Sequence, residues 1–263
     1  MSRFRFAPGA ISVSVSPRSV RRKTARSGKE NGNGSRESPF TKAAQVIEAA
    51  KKSQDARFFV DGTLRFPDGK VLMSGKCSFS GTPYSKIIIP GNGFVSISGA
   101  NISFDGFVIE KESGSSEKMF VMEKSSVSLE NCEIVGKFDF NAVAFLMSDC
   151  DFSLSSSGLT VQGTGYSCPV IAERSAIEVS SSRISSIGET AVCFSVDGGS
   201  FSMDGSKCRS IARFGRIAEL VSSTAALKEN AFLCDFEIKP KNMSAVWTGK
   251  KESDSFLGAT LFR

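Results

Sequence analysis

The chain has 263 residues, 40% of them hydrophobic and 23% charged, which is enough for one sizeable core and too apolar for a disordered tail. Histidine is absent, and this removes Ser-His-Asp and Cys-His nucleophile pairs, His-ligated zinc and His general-base chemistry together. The net charge of +6 divides unevenly: residues 1–40 hold nine Arg and Lys against Glu30 and Glu37, whereas the other 223 residues carry 24 basic and 25 acidic side chains. No run approaches the roughly 18 apolar residues of a membrane-spanning helix.

Residues 1–37 read as a disordered basic tail, with Arg21, Arg22, Lys23 and Arg26 followed by a Gly/Asn/Ser run. Nucleic acid is not the expected partner, because the neutral remainder offers no basic face to continue the tail. No basic segment leads into the apolar run of a secretory signal. After the tail, Ser38 and Pro39 suit an N-cap and first helical position, and Ala43, Val46, Ile47 and Ala50 recur on one face. A helix over about 39–52 is expected, placed to close the open end of a stack of strands.

From residue 95 the chain repeats. Val95, Phe120, Phe145, Val170, Phe194 and Ala218 form one column of a block about 25 residues long; Ile97, Met122, Met147, Ala172, Val196 and Leu220 form a second. The third holds Ile102, Val127, Phe152, Ile177, Phe201 and Ala225, and the fourth Phe104, Leu129, Leu154, Val179, Met203 and Leu227. The fifth holds Ile109, Ile134, Leu159, Ile184, Cys208 and Phe232. Within a block the spacing is two, five, two, five, and the period drops to 24 after Ile184. The missing residue falls between the fifth column and the next first column, so that stretch is a loop.

Apolar pairs two apart mean short strands with one inward face. Four turn residues, such as Ser98-Gly99-Ala100-Asn101, bend the chain between the second and third columns. Counting back 25 residues extends the pattern to Leu72, Cys77, Phe79 and Tyr84. The predicted fold is all-β: a parallel β-helix solenoid over residues 38–247 with about 24–25 residues per coil. Coils must stack, because the few side chains one coil buries do not offset the ordering of its backbone. Lys250 and Glu252 would occupy the third and fourth columns of a further rung. The helix is therefore expected to end near Phe236–Trp247, with residues 248–263 a cap or frayed end. The other reading is a shortened version of a longer protein.

Gly32-Asn33-Gly34-Ser35, Ser38-Pro39-Phe40, the Ala43–Ala50 helix and Phe58-Phe59-Val60-Asp61-Gly62 together resemble the lead-in of right-handed parallel β-helix proteins of the pectin-lyase-like superfamily, in the form found on bacterial surfaces. The resemblance covers residues 38 to about 236 and implies the right hand. It also implies an exported or cell-surface setting, with an export signal then lying outside this reading frame; the cytoplasm is the alternative. Enzymes of that superfamily use Asp clusters with calcium and Arg, or paired Asp. Their NTD, DD, GHG and RIK signatures are missing here.

Two candidate sites remain. Glu173 and Asp197 share an outer column on adjacent rungs, with Arg174 beside Asp149 in the next; such a cluster could hold calcium or a sugar carboxylate, although a solvated turn with exposed ion pairs is the commoner reason for such a pattern. Val121, Leu146 and Ile171 fall between the first and second columns, where side chains face outward, and three successive apolar residues there suggest a contact surface. The alternative is that loop 111–118 or 136–142 covers them. The seven cysteines are an odd number, so no closed disulfide framework is expected. Cys77 and Cys208 pack inward, and Cys168 and Cys193, 25 apart, are placed to bridge neighbouring rungs in an oxidising compartment. No cofactor is expected beyond the calcium option. The functional expectation is a non-catalytic surface module binding a glycan or a protein; a polysaccharide lyase or glycoside hydrolase with an unrecognised acidic site is the alternative.

Overall fold

The computed structural model describes residues 12–15, 40, 42–51, 55–82, 84–236 and 255–257. Among these, the strands form three sheets of seven, nine and nine strands, wound into a parallel β-helix of about seven turns and of the right-handed type. Each coil visits the sheets in one order. We call them sheet I (with Phe94–Ser98), sheet II (with Asn101–Asp105) and sheet III (with Val108–Lys111).

The apolar columns are vertical files. The first two line sheet I in register, the next two sheet II and the fifth sheet III. All thirty side chains are buried except Leu220, Ala225 and Leu227, which are partly buried in the last coils. Like stacks on like: Phe58, Phe79 and Phe104 lie ring on ring at 4.8 and 5.1 Å, and Phe120 on Phe145 at 5.1 Å. This offset stacking adds to the area the rings bury. The deletion after Ile184 falls where expected: Gln162 faces Ile187, 25 residues on, whereas Tyr166 faces Thr190, 24 on.

Counting backwards works for two of four positions. Cys77 and Phe79 align with Ile102 and Phe104. In the first coils, however, Val71 and Met73 take the inward places of sheet I, and Ile87 aligns with Ile109. Leu72 therefore points outward, 49% exposed, and Tyr84 lies exposed before Lys86–Ile89. Shorter early turns shift the register by one and three residues, and a one-residue shift exchanges the faces of a strand.

Both tight corners repeat one device. Between sheets I and II, Gly99, Lys124, Asp149, Arg174, Gly198 and Ser222 all have φ between 47° and 67°. Between sheets II and III, Gly106, Asn131, Ser156, Ser181, Gly205 and Glu229 do the same, at 49–75°. For non-glycine residues that conformation is disfavoured, and the next residue compensates. Ser125, Ser157, Ser175, Ser182 and Ser206 turn inward, each hydroxyl donating to a carbonyl two residues back. Each also accepts from an N–H of the preceding coil: Ala100, Cys132, Cys150, Ser157 and Ser182, at 3.0–3.2 Å. The third residue of each supposed surface turn is thus interior.

The helix runs Ala43–Lys51, shorter than the expected 39–52, and buries Ala43, Val46, Ile47 and Ala50 against the first coil. Its first turn is closed by Gln45, whose Oε1 accepts from Lys42 N at 3.1 Å, a reciprocal cap placed later than Ser38. Ser38 and Pro39 lie outside the described residues. So does most of the basic tail, but Ser12–Val15 forms a strand antiparallel to Ala56–Asp61, covering that edge of sheet II. At the other end, Ser255–Leu257 pairs with Ala231–Leu233 at a spacing of 24, bringing Phe256 into register with Phe232. Sheet III thus reaches Leu257, beyond the stop expected near Phe236–Trp247; residues 237–254 and 258–263, with Met243, Ala245, Lys250 and Glu252, lie outside the described residues.

Ser182→Ala leaves the Ser157 N–H without its acceptor inside the turn, which costs about 1–3 kcal/mol. Ser128→Ala on the half-exposed outer face of sheet II changes stability by less than about 0.5 kcal/mol. Denaturant unfolding of both variants beside the wild type measures the difference; equal effects would contradict an interior role for the turn hydroxyls.

Candidate interaction face

Sheet I carries the most apolar outer surface. Val121, Leu146 and Ile171 are in register on three successive rungs and partly exposed, as strand alternation requires with Phe120, Phe145 and Val170 inside. Leu72 and Ser96 extend the file at one end, Ser195 and Glu219 at the other. Period counting alone puts Leu72 in the core, so that end of the stripe is visible only in the structure.

At the corner entering sheet I, two consecutive residues are buried in several strands: Ala144 with Phe145, and Cys193 with Phe194. Phe194 packs on Phe201 while the Cys193 thiol reaches the Arg209 carbonyl at 3.4 Å, so both enter the core, as at a bulge. Ser167 faces Ala191 and Val170 faces Phe194 on the following rung, so the period of 24 leaves Cys193 one residue out of register with Cys168. The Cys168 thiol donates to the Val170 carbonyl at 3.2 Å, and the Tyr166 hydroxyl is pushed well up, first by burial and then by Cys168. The Cys168–Cys193 bridge is therefore corrected: both thiols are free and lie in adjacent columns.

The charged cluster forms beside this face. The Arg174 guanidinium grips Asp149 with Nε at 2.8 Å and Nη2 at 3.0 Å, donates to Ser148 Oγ at 2.8 Å, and pairs with Glu173. Arg174 holds the Asp149 carboxyl below its ordinary range. Asp197 stands opposite Glu173 on the next rung. Asp149, Glu173 and Arg174 thus come together as exposed ion pairs, the geometry in which such pairs contribute little stability. Among the described residues, no group of three or more His, Cys, Asp or Glu side chains is placed to hold a metal ion. An open depression of about 610 Å³ adjoins Asp149, lined by both signs of charge, including Lys76, Lys124 and Asp151.

One buried cation escaped the sequence reading. Lys111 enters the core in a sixth inward file with Ile89, Gly136, Val161, Ser186, Ser210 and Cys234. Its mixed polarity hid the file. The Lys111 ammonium donates to the carbonyls of Pro90, Gly91 and Gly93 at 2.8–2.9 Å, and sits 5.6 Å from the centre of the Phe138 ring. A Cβ on Gly136 would lie 2.6 Å from that ring, so glycine makes room for it. Ser186 and Ser210 bond across the same corner to Ser167 and to the Ala191 carbonyl. The fold thus uses Lys111 as an internal clamp on the loop of the preceding coil.

No helix among the described residues is long and apolar enough to cross a membrane. No family model matches the chain, and neither a curated protein nor a solved structure matches it.

Burial lowers the Lys111 pKa from 10.5 to about 8, against the pull of Glu112 and Asp139. Between those values the unfolded chain holds a proton that the fold releases, so unfolding binds protons and stability rises with pH. Wild type should therefore gain stability relative to Lys111→Met from about pH 8 towards 10.5, with a constant difference below pH 7. Paired melting curves across that range test it; a difference that falls with pH would contradict it.

Proposed function

We propose that this chain is a non-catalytic interaction module, a right-handed β-helix of the pectin-lyase-like superfamily, that docks a protein partner on the outer face of sheet I. The observation carrying this reading is the in-register stripe Val121–Leu146–Ile171 on the outer face of a continuous parallel sheet. Branched aliphatic side chains at the regular strand spacing suit the apolar residues of a protein, whereas a glycan would call for planar aromatic or hydrogen-bonding groups. A flank of Glu123, Glu173 and Asp197 runs along one side of the stripe. It supplies the polar rim usual around an apolar contact.

The charged cluster supports binding over catalysis. Paired-carboxylate hydrolysis needs one group protonated and its partner ionised, whereas Arg174 engages both Asp149 and Glu173. An exported or surface setting fits the reading, with the lead-in segment as its support.

A photo-crosslinking residue placed at position 146, with one at 103 on sheet II as control, tests the proposal in the producing cell. Position 146 should yield a discrete, saturable protein adduct that Ile171→Asp reduces at least tenfold, with the melting temperature of Ile171→Asp within a few degrees of wild type. Equal labelling from both positions would overturn the proposal. So would unfolding of both Ile171→Asp and Leu146→Ser, because the stripe would then be core.

A further inference from the structure

Three sulfur atoms meet inside the corner between sheets I, II and III near the end of the solenoid. Cys193 lies on Thr190–Asp197 of sheet I, Cys208 on Lys207–Ala212 of sheet III and Met203 on Ser200–Asp204 of sheet II. The Cys208 thiol is 3.7 Å from the Met203 sulfur, and the Cys193 thiol reaches the carbonyl of Arg209, the residue after Cys208, at 3.4 Å; after burial, Cys208 is the strongest influence on the Cys193 thiol. All three side chains are at most 2% exposed. We propose that Cys193 and Cys208 are a latent disulfide, joined when the chain folds in an oxidising environment, which staples sheet I to sheet III one coil before the inner files become partly exposed at Leu220, Ala225 and Leu227.

The chemistry is thiol–disulfide exchange with a small disulfide such as oxidised glutathione. One protein thiolate attacks it, forming a mixed disulfide and releasing one glutathione; the second protein thiolate attacks the mixed disulfide and releases the other. The protein loses two protons and two electrons, and the oxidised glutathione takes them up to become two thiols. Timing follows from burial. In the closed core the Cys193 thiol is held protonated, first by burial and then by its contact with Cys208, and the thiol is not the nucleophile. Exchange therefore occurs before the last coils dock. The product is neutral, which suits an apolar corner; a soft cation held by two thiolates would leave a net negative charge there.

The test is to denature and reduce the chain, then refold it either in a reduced and oxidised glutathione mixture or in excess reductant, alkylate after denaturation, and map the thiols. Oxidative refolding should give a protein about 2 Da lighter, with five alkylated cysteines instead of seven and one linked peptide joining Cys193 to Cys208. Its melting temperature should rise by roughly 5–10 °C over the reduced form. Cys193→Ala and Cys208→Ala should each show six alkylated cysteines in both buffers. Folded, reduced protein should resist the same oxidant for hours. Seven alkylated cysteines after oxidative refolding, a link mapped to another pair such as Cys168 with Cys193, or protection that requires added Cu(I) would each overturn the proposal. Should refolding fail, mapping the chain secreted into an oxidising periplasm with an added signal gives the same two readings.

Discussion

The structure depends on one constraint: each inward side chain must be matched by the side chains one coil above and below it. The remaining partners of a core residue come from the facing walls of its own and the adjoining coils, because the tube is narrow. Phe104 touches Phe79, Phe107 and Phe120, neighbours from its own coil and the adjoining ones. The sequence consequence is a fixed spacing of inward positions from Val95 on, although in the first coils the corners after Met73 and Phe79 differ. From Val95 on, the length varies in the loop from sheet III back to sheet I. That loop carries the one-residue deletion near Gly188 and the close backbone approach between Gly188 and Gly165.

Tight corners impose the second condition. A left-handed residue at each sheet I–II and II–III corner from Gly99 to Glu229 lets the chain turn in one step, and where a buried serine follows it, the hydroxyl accepts from an N–H of the preceding coil. Polar atoms inside this tube are few and fully engaged: Ser and Asn in the corners, Ser186 and Ser210 at the third corner, and Lys111 on three carbonyls. A core assembled this way is regular enough to leave the outer faces flat. Strand alternation brings the aliphatic stripe on sheet I, the proposed docking surface, into register over three rungs, and the neighbouring corner leaves Arg174, Asp149 and Glu173 to pair with one another.

Much of this was legible in the residues. Strict apolar spacing revealed five files and the variable loop, because at those positions every side chain over six rungs is apolar or Cys. The sixth file was not legible: Lys111, Gly136, Ser186 and Ser210 are buried for reasons of local hydrogen bonding and ring packing that leave no hydrophobic signature. The corner serines read as surface turns for the same reason. Leu72 and Tyr84 failed because the first coils are shorter, and period counting cannot detect a shortened turn without a second rung to compare. The outward placement of Val121, Leu146 and Ile171 followed from alternation alone, and the Arg174–Asp149 contact from a spacing of 25. Cys193 beside Cys208 could not be read from spacing, since these residues sit on different walls and meet only where the corner folds.

The central claim, that residues one period apart lie directly on one another, is tested most directly by nuclear Overhauser contacts between backbone amides of the perdeuterated protein. The account predicts contacts across the sheet II strands, linking the neighbourhood of Ser128 to those of Ser103 and Ser153, with the same pattern repeated at Ser202 one period of 24 beyond Glu178. Amide contacts confined to sequence neighbours, or linking strands at any other spacing, would contradict it.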